Sequence, residues 1–164
     1  MADTLKVIPE PTEVNSGVTA TQKIADALAV CVADTYRLVF KTHAYHWNVE
    51  GPHFFSIHKL TESQYEALFA AVDVIAERIR QLGKLTPMAF RELSELSSIK
   101  DLGKTPSAHD MIQDLVNDHE STAKRIHKAI KLAEDNKDPV TADMLTARSA
   151  FHEKAAWMLR AIIA

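Results

Sequence analysis

The sequence is poor in residues that cross-link or interrupt a chain. It holds one cysteine, Cys31, in 164 residues. A single thiol excludes an internal disulfide and any metal site built on paired thiolates. Cys31 falls in an apolar helical run, which predicts a small buried hydrophobe. Only 4 glycines and 6 prolines occur. With Ala, Leu, Glu and Lys abundant, helix is favoured over sheet. The longest apolar runs fall far short of a membrane span. The opening residues, MADTLKVIPEPTEVNSG, lack the basic-plus-apolar pattern of a secretion signal, so a cytoplasmic location is expected. The formal net charge of −3 gives no general attraction to nucleic acid or an anionic membrane. Apolar content of 46% and charged content of 25% are ordinary for a globular protein, and the length suits one domain with a real core.

What is present concentrates between His43 and Gly83. This stretch holds four of the 8 histidines, a Gly-Pro break, and a long helical segment. The segment carries two pairs at i,i+4 spacing, His58/Glu62 and Asp73/Glu77, each projecting from one helix face. With His58 at zero and about 100° per residue, Glu62 falls near about 40°, Asp73 near about 60° and Glu77 near about 100°. Ala67, Leu68, Ala71, Ile75, Ile79 and Leu82 fall between about 180° and about 300°. The candidate ligands therefore point away from the chain's own core. Phe69 and Ala70 lie among them, which suggests that a second surface covers this face.

Glu62 and Asp73 are eleven residues apart in the sequence, about 16 Å along a helix. One metal cluster cannot touch both pairs on a single straight helix. Two antiparallel copies remove the difficulty. Both pairs are centred between Ala67 and Leu68, so one two-fold axis there sets His58 opposite Glu77 and Glu62 opposite Asp73. Two equivalent sites shared between subunits result, provided the segment is helical and all four residues are ligands. The plain alternative is an exposed charged helix face, and two symmetric pairs count against it.

The ordered set His46-Trp47-Asn48-Val49-x-Gly51, Phe54/Phe55, His58, Glu62, Tyr65, Asp73, Ala76-Glu77-Arg78 and Leu82-Gly83 resembles the signature of the Dps family, the bacterial mini-ferritins also called DNA-binding proteins from starved cells. The similarity runs on weakly through Asp143 to Ala147 and Trp157-Met158, covering about residues 20 to 164. It implies an all-α, ferritin-like four-helix bundle with a short extra helix in the long connection between helices 2 and 3. It also implies a hollow dodecameric shell with iron sites at its two-fold interfaces. The implied activity is that of a ferroxidase, with iron storage and protection against oxidative stress.

The chain in order fits that expectation. Residues 1–17 read as a flexible arm with Asp3, Glu10 and Glu13 against Lys6, and residues 18–164 as the bundle domain. Thr19-Ala-Thr-Gln22 has capping-box spacing. A first helix to about Asn48 follows, ended by Gly51-Pro52. The second runs from about Phe54 to Leu82, stopped by Gly83. Thr86-Pro87 predicts a cap and a short helix over about 88–96. Ser107-Ala-His-Asp110 opens a third long helix to about 135, and Asp138-Pro139 a fourth to about Ile163. Four long helices with one long crossover suit a ferritin-like bundle.

Carried over residue by residue, the resemblance assigns His46, His58, Glu62, Asp73 and Glu77 as metal ligands. Carboxylates are hard ligands and imidazole suits divalent iron. Asp73 and Glu77 of one subunit hold the tighter iron, His46 and His58 of its neighbour complete the shell, and Glu62 holds a second, weaker iron. The family most often has Asp where this chain has Glu62. The added methylene alters the metal spacing or lets zinc replace the second iron. Trp47 adjoins the site, either to absorb stray oxidising equivalents or to anchor an interface. His43 and His53 are weaker candidates beside the site, and His109, His119, His127 and His152 read as surface residues. Arg78 is expected to pair with acids at an interface, and the remaining Lys and Arg to be solvated. Glu134, Asp138 and Asp143 are candidates for acidic three-fold pores, Asp138 equally as a helix cap.

The expected reaction is Fe(II) oxidation, preferably by hydrogen peroxide, followed by storage of ferric mineral. The first rival is a nucleoid protein that compacts DNA. The acidic arm and the absence of a basic tail argue for weak or no direct DNA binding, while nucleoid association stays open. A second rival, a di-iron oxygenase, would need Glu-x-x-His motifs facing into the bundle. The only such spacing, Glu50 to His53, lies in the helix break. A third rival is a metal-free structural shell, in which Asp73 and Glu77 could change without loss of activity.

Overall fold

The computed structural model describes residues 14–103 and 105–164. The proposed arm falls mostly on residues 1–13, outside the described residues. Four long helices and one short one follow in order: α1 (Thr21–Asn48), α2 (Phe54–Gln81), α3 (Phe90–Leu96), α4 (Ala108–Asp135) and α5 (Pro139–Ile162). There is no strand among the described residues, and no helix is long and apolar enough to cross a membrane.

α1 packs on α2 and α4 packs on α5, each pair joined by a short turn. Contacts between α1 and α4 run in opposite chain directions: Asp34 meets Arg125, Lys41 meets Asp118 and Tyr45 meets Asp114. α2 and α4 therefore run the same way, and the connection between them must travel the length of the bundle. α3 lies in that crossover and packs on α1.

Local chemistry sets most boundaries. Gly83 adopts φ 77, and a Schellman pair closes α2, Lys84 N–H to Ile79 O and Gly83 N–H to Arg80 O. Ser107 and Asp110 form a reciprocal capping box at α4. Asp138 caps α5 through the Thr141 amide, with Pro139 in the first turn. Two expected caps are absent. The cap residue of α1 is Ala20 in the left-handed region, and Thr19 instead donates to Asn136, 117 residues away. Thr86 caps nothing: α3 starts at Phe90, capped by Ala89 without a side-chain bond.

The core divides into two apolar clusters. One gathers Ile24, Leu28, Ile75, Ile79, Ile126 and Leu145. The other gathers Leu38, Leu68, Ile112, Leu115, Val116 and Leu159. Between them along α1, α4 and α5 lies a polar belt. Asp34, 1% exposed, accepts from Ser97, the Ser98 amide and Arg125, which pins the crossover to the bundle. Lys41 is buried between Asp114 and Asp118. Arg125 and Lys41 thus depart from the expected solvated faces. Cys31 is buried as expected, and desolvation followed by repulsion from Asp34 pushes its thiol up to about 12.

His119 and His152, expected at the surface, are instead 0% and 1% exposed, their Nδ1 atoms 2.9 Å apart. One Nδ1 donates and the other accepts, so the accepting ring is neutral. Neither Nε2 has a hydrogen-bond partner among the described residues. Desolvation, then repulsion from Arg148, holds the His119 imidazole down at about 3, and His152 is lowered by the same burial, His119, Arg148 and Arg125. The unfolded chain takes up these protons near pH 6.5 and the folded chain resists them. Stability from this pair is therefore full above about pH 6.5 and falls as pH drops toward the depressed folded values, by up to about 1.4 kcal/mol per pH unit for each ring. The double substitution His119→Leu/His152→Leu is expected to flatten the urea midpoint between about pH 6.5 and 4.5 relative to the parent chain. Identical pH slopes would contradict this.

Candidate metal centre

The end of α1 and the start of α2 are held face to face by the turn at Gly51-Pro52. His46 and His58 meet across that hairpin with rings stacked at 3.7 Å and inclined by 16°. His46 Nδ1 lies 2.9 Å from the His58 carbonyl oxygen, and His58 Nδ1 lies 3.0 Å from the His46 carbonyl oxygen. A carbonyl only accepts, so each Nδ1 carries the proton. In the neutral form of this tautomer the lone pair lies on Nε2, the atom left facing away from both carbonyls and the one that can bind a metal. The two backbones thus fix the tautomer and orientation of both rings before any ion arrives.

The four stripe residues on α2 divide by environment. His58 and Glu62 are half-buried, while Asp73 and Glu77 are exposed and have no hydrogen-bond or ion-pair partner among the described residues. Glu62 accepts from Lys59 at 2.6 Å. That hydrogen bond holds the Glu62 carboxyl below its ordinary value, with attraction from Lys59, His46 and His58 adding to it against partial desolvation. The apolar set Leu68, Ala71, Ile75, Ile79 and Leu82 is buried on the opposite side. The separation of faces read from the helical period is therefore the one in the structure. Phe69, on the ligand stripe, is 61% exposed and Val74 53%. Among the described residues no three His, Cys, Asp or Glu side chains of one chain converge on a common point, consistent with the axial distance between the two pairs.

Aromatic rings continue the site along α1. His43 stacks on Tyr65 at 4.1 Å and lies 4.0 Å from Trp47, while Tyr65 meets His46 edge-on at 5.2 Å. His43 is thus part of the packing around His46. Tyr65 had no role assigned from sequence; its contact joins residues on two helices and carries no local signal. Trp47 is 59% exposed beside this group. His53 lies away from the stacked rings, lining a cavity of about 290 Å³ with Glu50 and His109.

The acids near the start of α5 separate in the same way. Glu134 and Asp143 are exposed. Asp138 is fully buried, with its carboxylate engaged by Arg78 at 2.7 Å and by Thr141. It is a helix cap and an ion-pair partner, and its carboxylate is not available to line a pore. Arg78 likewise pairs inside its own chain, contrary to the expected interface contact. Inside the bundle, Asp34, Asp114, Asp118 and Asp138 all face a Lys or Arg of the same chain. Among the described residues no buried carboxylate pair is left to hold two metals there.

Comparison with known proteins bears on the fold and the family. A ferritin-like domain model matches residues 25–164. A DNA protection during starvation protein of Brevibacillus brevis is 37% identical over 143 residues, covering 87% of this chain and 95% of that protein. The chain belongs to the Dps family. An uncharacterised low temperature-induced protein of Nostoc sp. is 39% identical over 154 residues, covering 92% of this chain and 86% of its own. Among solved structures, the Dps protein of Vibrio cholerae O1 superposes with a TM-score of 0.86 at 26% identity, over 95% of this chain and 99% of that one. That structure is described as a member of a broad superfamily of ferritin-like diiron-carboxylate proteins.

Proposed function

We propose that this Dps chain is a ferroxidase that binds Fe(II) between two antiparallel copies, oxidises it with hydrogen peroxide, and stores the ferric product in a dodecameric shell. The observation that carries the reading is the reciprocal clamp of His46 and His58. It orients the His46 ring of α1 and the His58 ring of α2 together at one end of the α2 face that also carries Glu62, Asp73 and Glu77. A two-fold axis near Ala67 and Leu68 brings Asp73 and Glu77 of one copy to His46, His58 and Glu62 of the other. The exposed Phe69, Val74 and Trp47 are covered by the same pairing. The diiron-carboxylate description of the Vibrio cholerae relative supports iron as the substrate.

In this reading Asp73 and Glu77 supply the charge that holds the tighter Fe(II), and the two imidazoles, already oriented, complete its shell. Glu62 holds a second ion, iron or zinc. Hydrogen peroxide takes one electron from each of two Fe(II) ions, and with two protons gives two Fe(III) and two waters. Pairing the electrons avoids hydroxyl radical. Exposed Glu134 and Asp143 are the acids left to attract cations toward the shell. The chain's net charge of −3 gives no basis for strong direct DNA binding, so protection of DNA acts through removal of iron and peroxide.

The test is an anaerobic Fe(II) titration of the purified protein followed by peroxide, with ferric absorbance and spin trapping. Saturation at one or two irons per chain, then fast oxidation without hydroxyl-radical adducts, is expected. No binding above buffer would overturn the reading.

A further inference from the structure

Lys59 is the residue that the metal-centre assignment leaves unexplained. It follows the ligand His58 and forms an ion pair with Glu62 at 2.6 Å, three residues on. Its side chain is otherwise open to solvent, with 55% of its surface exposed. On the helical wheel Lys59 falls at about 100° from His58, the same azimuth as Glu77. In the antiparallel pairing it lies level with Ala76 of the second copy, between Asp73 and Glu77. The ammonium therefore sits on its own Glu62 and within reach of the acids that arrive from the other subunit. A lysine ammonium is a compact point charge on a flexible stem, so it can act as a counter-ion and swing away when a stronger cation takes its place.

We infer that Lys59 is a specificity-determining residue of this centre, holding the second cation position through Glu62 so that the first divalent ion binds tightly and the second must displace a resident charge. The inference rests on the Fe(II) site proposed above. It accounts for an unequal pair of positions without appealing to the length of Glu62 alone. The first ion meets Asp73 and Glu77, which have no partners in the free chain. The second meets a carboxylate already engaged and a positive charge a few ångströms away. Removing that charge strengthens the second step by roughly five- to tenfold, the size expected for one unit charge near a divalent ion at the dielectric of water. Salt screens the repulsion, so the gap between the two steps narrows as ionic strength rises in the parent chain.

The experiment is an anaerobic titration of the assembled protein with Co(II), a redox-stable probe read by its visible absorption and by calorimetry. It compares the parent chain with Lys59→Gln and Lys59→Arg at low and high salt. Two steps are expected in the parent chain. In Lys59→Gln the second step tightens by roughly five- to tenfold and loses most of its salt dependence, while the first step changes little. Lys59→Arg, which keeps the charge, stays close to the parent. An unchanged second step in Lys59→Gln, or an equal tightening in Lys59→Arg, overturns the inference. Absence of any Co(II) binding in all three chains, confirmed with Fe(II), overturns the metal-centre reading itself.

Discussion

Replacing Asp73 with Asn and Glu77 with Gln together is expected to abolish saturable Fe(II) binding and to lower peroxide-dependent iron oxidation by at least about a hundredfold. Groups that merely orient metal ligands are already worth about 10- to 100-fold, and here both charged donors of the tighter position are removed. The folded chain itself should not suffer. Both side chains are exposed and have no partner among the described residues, so their loss breaks no intrachain hydrogen bond. Circular dichroism and the urea midpoint of the variant should match the parent within about 0.5 kcal/mol, the range of ordinary surface changes. Retained saturable binding would exclude the two-fold site and place the iron on other residues. Removing a metal ligand normally confounds function with folding; the outward direction of these acids separates the two.

The second large effect is on stability. Arg78→Met is expected to cost about 3–5 kcal/mol, because it strands a buried carboxylate. Asp138 is 0% exposed and Arg78 8% exposed, and their 2.7 Å contact ties the end of α2 to the start of α5. Burial opposes ionisation of Asp138, yet hydrogen bonds from the Thr141 hydroxyl and amide and from Arg78 outweigh it and hold the carboxyl below its ordinary value. The sign of the pH effect follows from that direction. The folded chain keeps Asp138 ionised at pH values where the unfolded chain protonates it, so this contribution is present above about pH 3.9 and lost as pH falls through the lower folded value. In Arg78→Met the missing cation removes much of the lowering, and the acid limb of the stability curve should begin at a higher pH. Urea unfolding across pH 3 to 7 checks both the size and the direction. A loss under about 1 kcal/mol would place the pair with ordinary surface ion pairs.

Much of the fold and the site was legible because both depend on local repetition. The helical period sorted Leu68, Ile75 and Ile79 from Glu62, Asp73 and Glu77, and the same sorting appears as burial. Gly51-Pro52, Gly83, Ser107 and Asp138-Pro139 marked helix ends because their chemistry acts within one turn. The failures share a different cause. Thr19 had capping spacing but bonds Asn136 instead, and Thr86 yields to a helix that starts at Phe90. Arg78 pairs with Asp138 from 60 residues away. His119 and His152 are buried as a pair that shares one hydrogen bond across 33 residues. A neutral imidazole carries no sequence mark that distinguishes it from a solvated one. His46 and His58 were legible as candidate ligands by residue type, but the exchange of hydrogen bonds with each other's backbone was not.

That exchange makes the two imidazoles one mechanical unit. Neither ring is oriented by its own helix; each takes its direction from the main chain of the other. A small change in how α1 meets α2 therefore turns both rings at once, like two latches on a single hinge. The hinge contains Gly51 at φ 108, a conformation that strains any residue with a side chain even though nothing lies within 4 Å of an added Cβ. A substitution there touches no metal ligand and meets no steric clash. It would nonetheless act on both imidazoles together, so in the proposed reading cation binding there would be sensitive to a turn that takes no part in it.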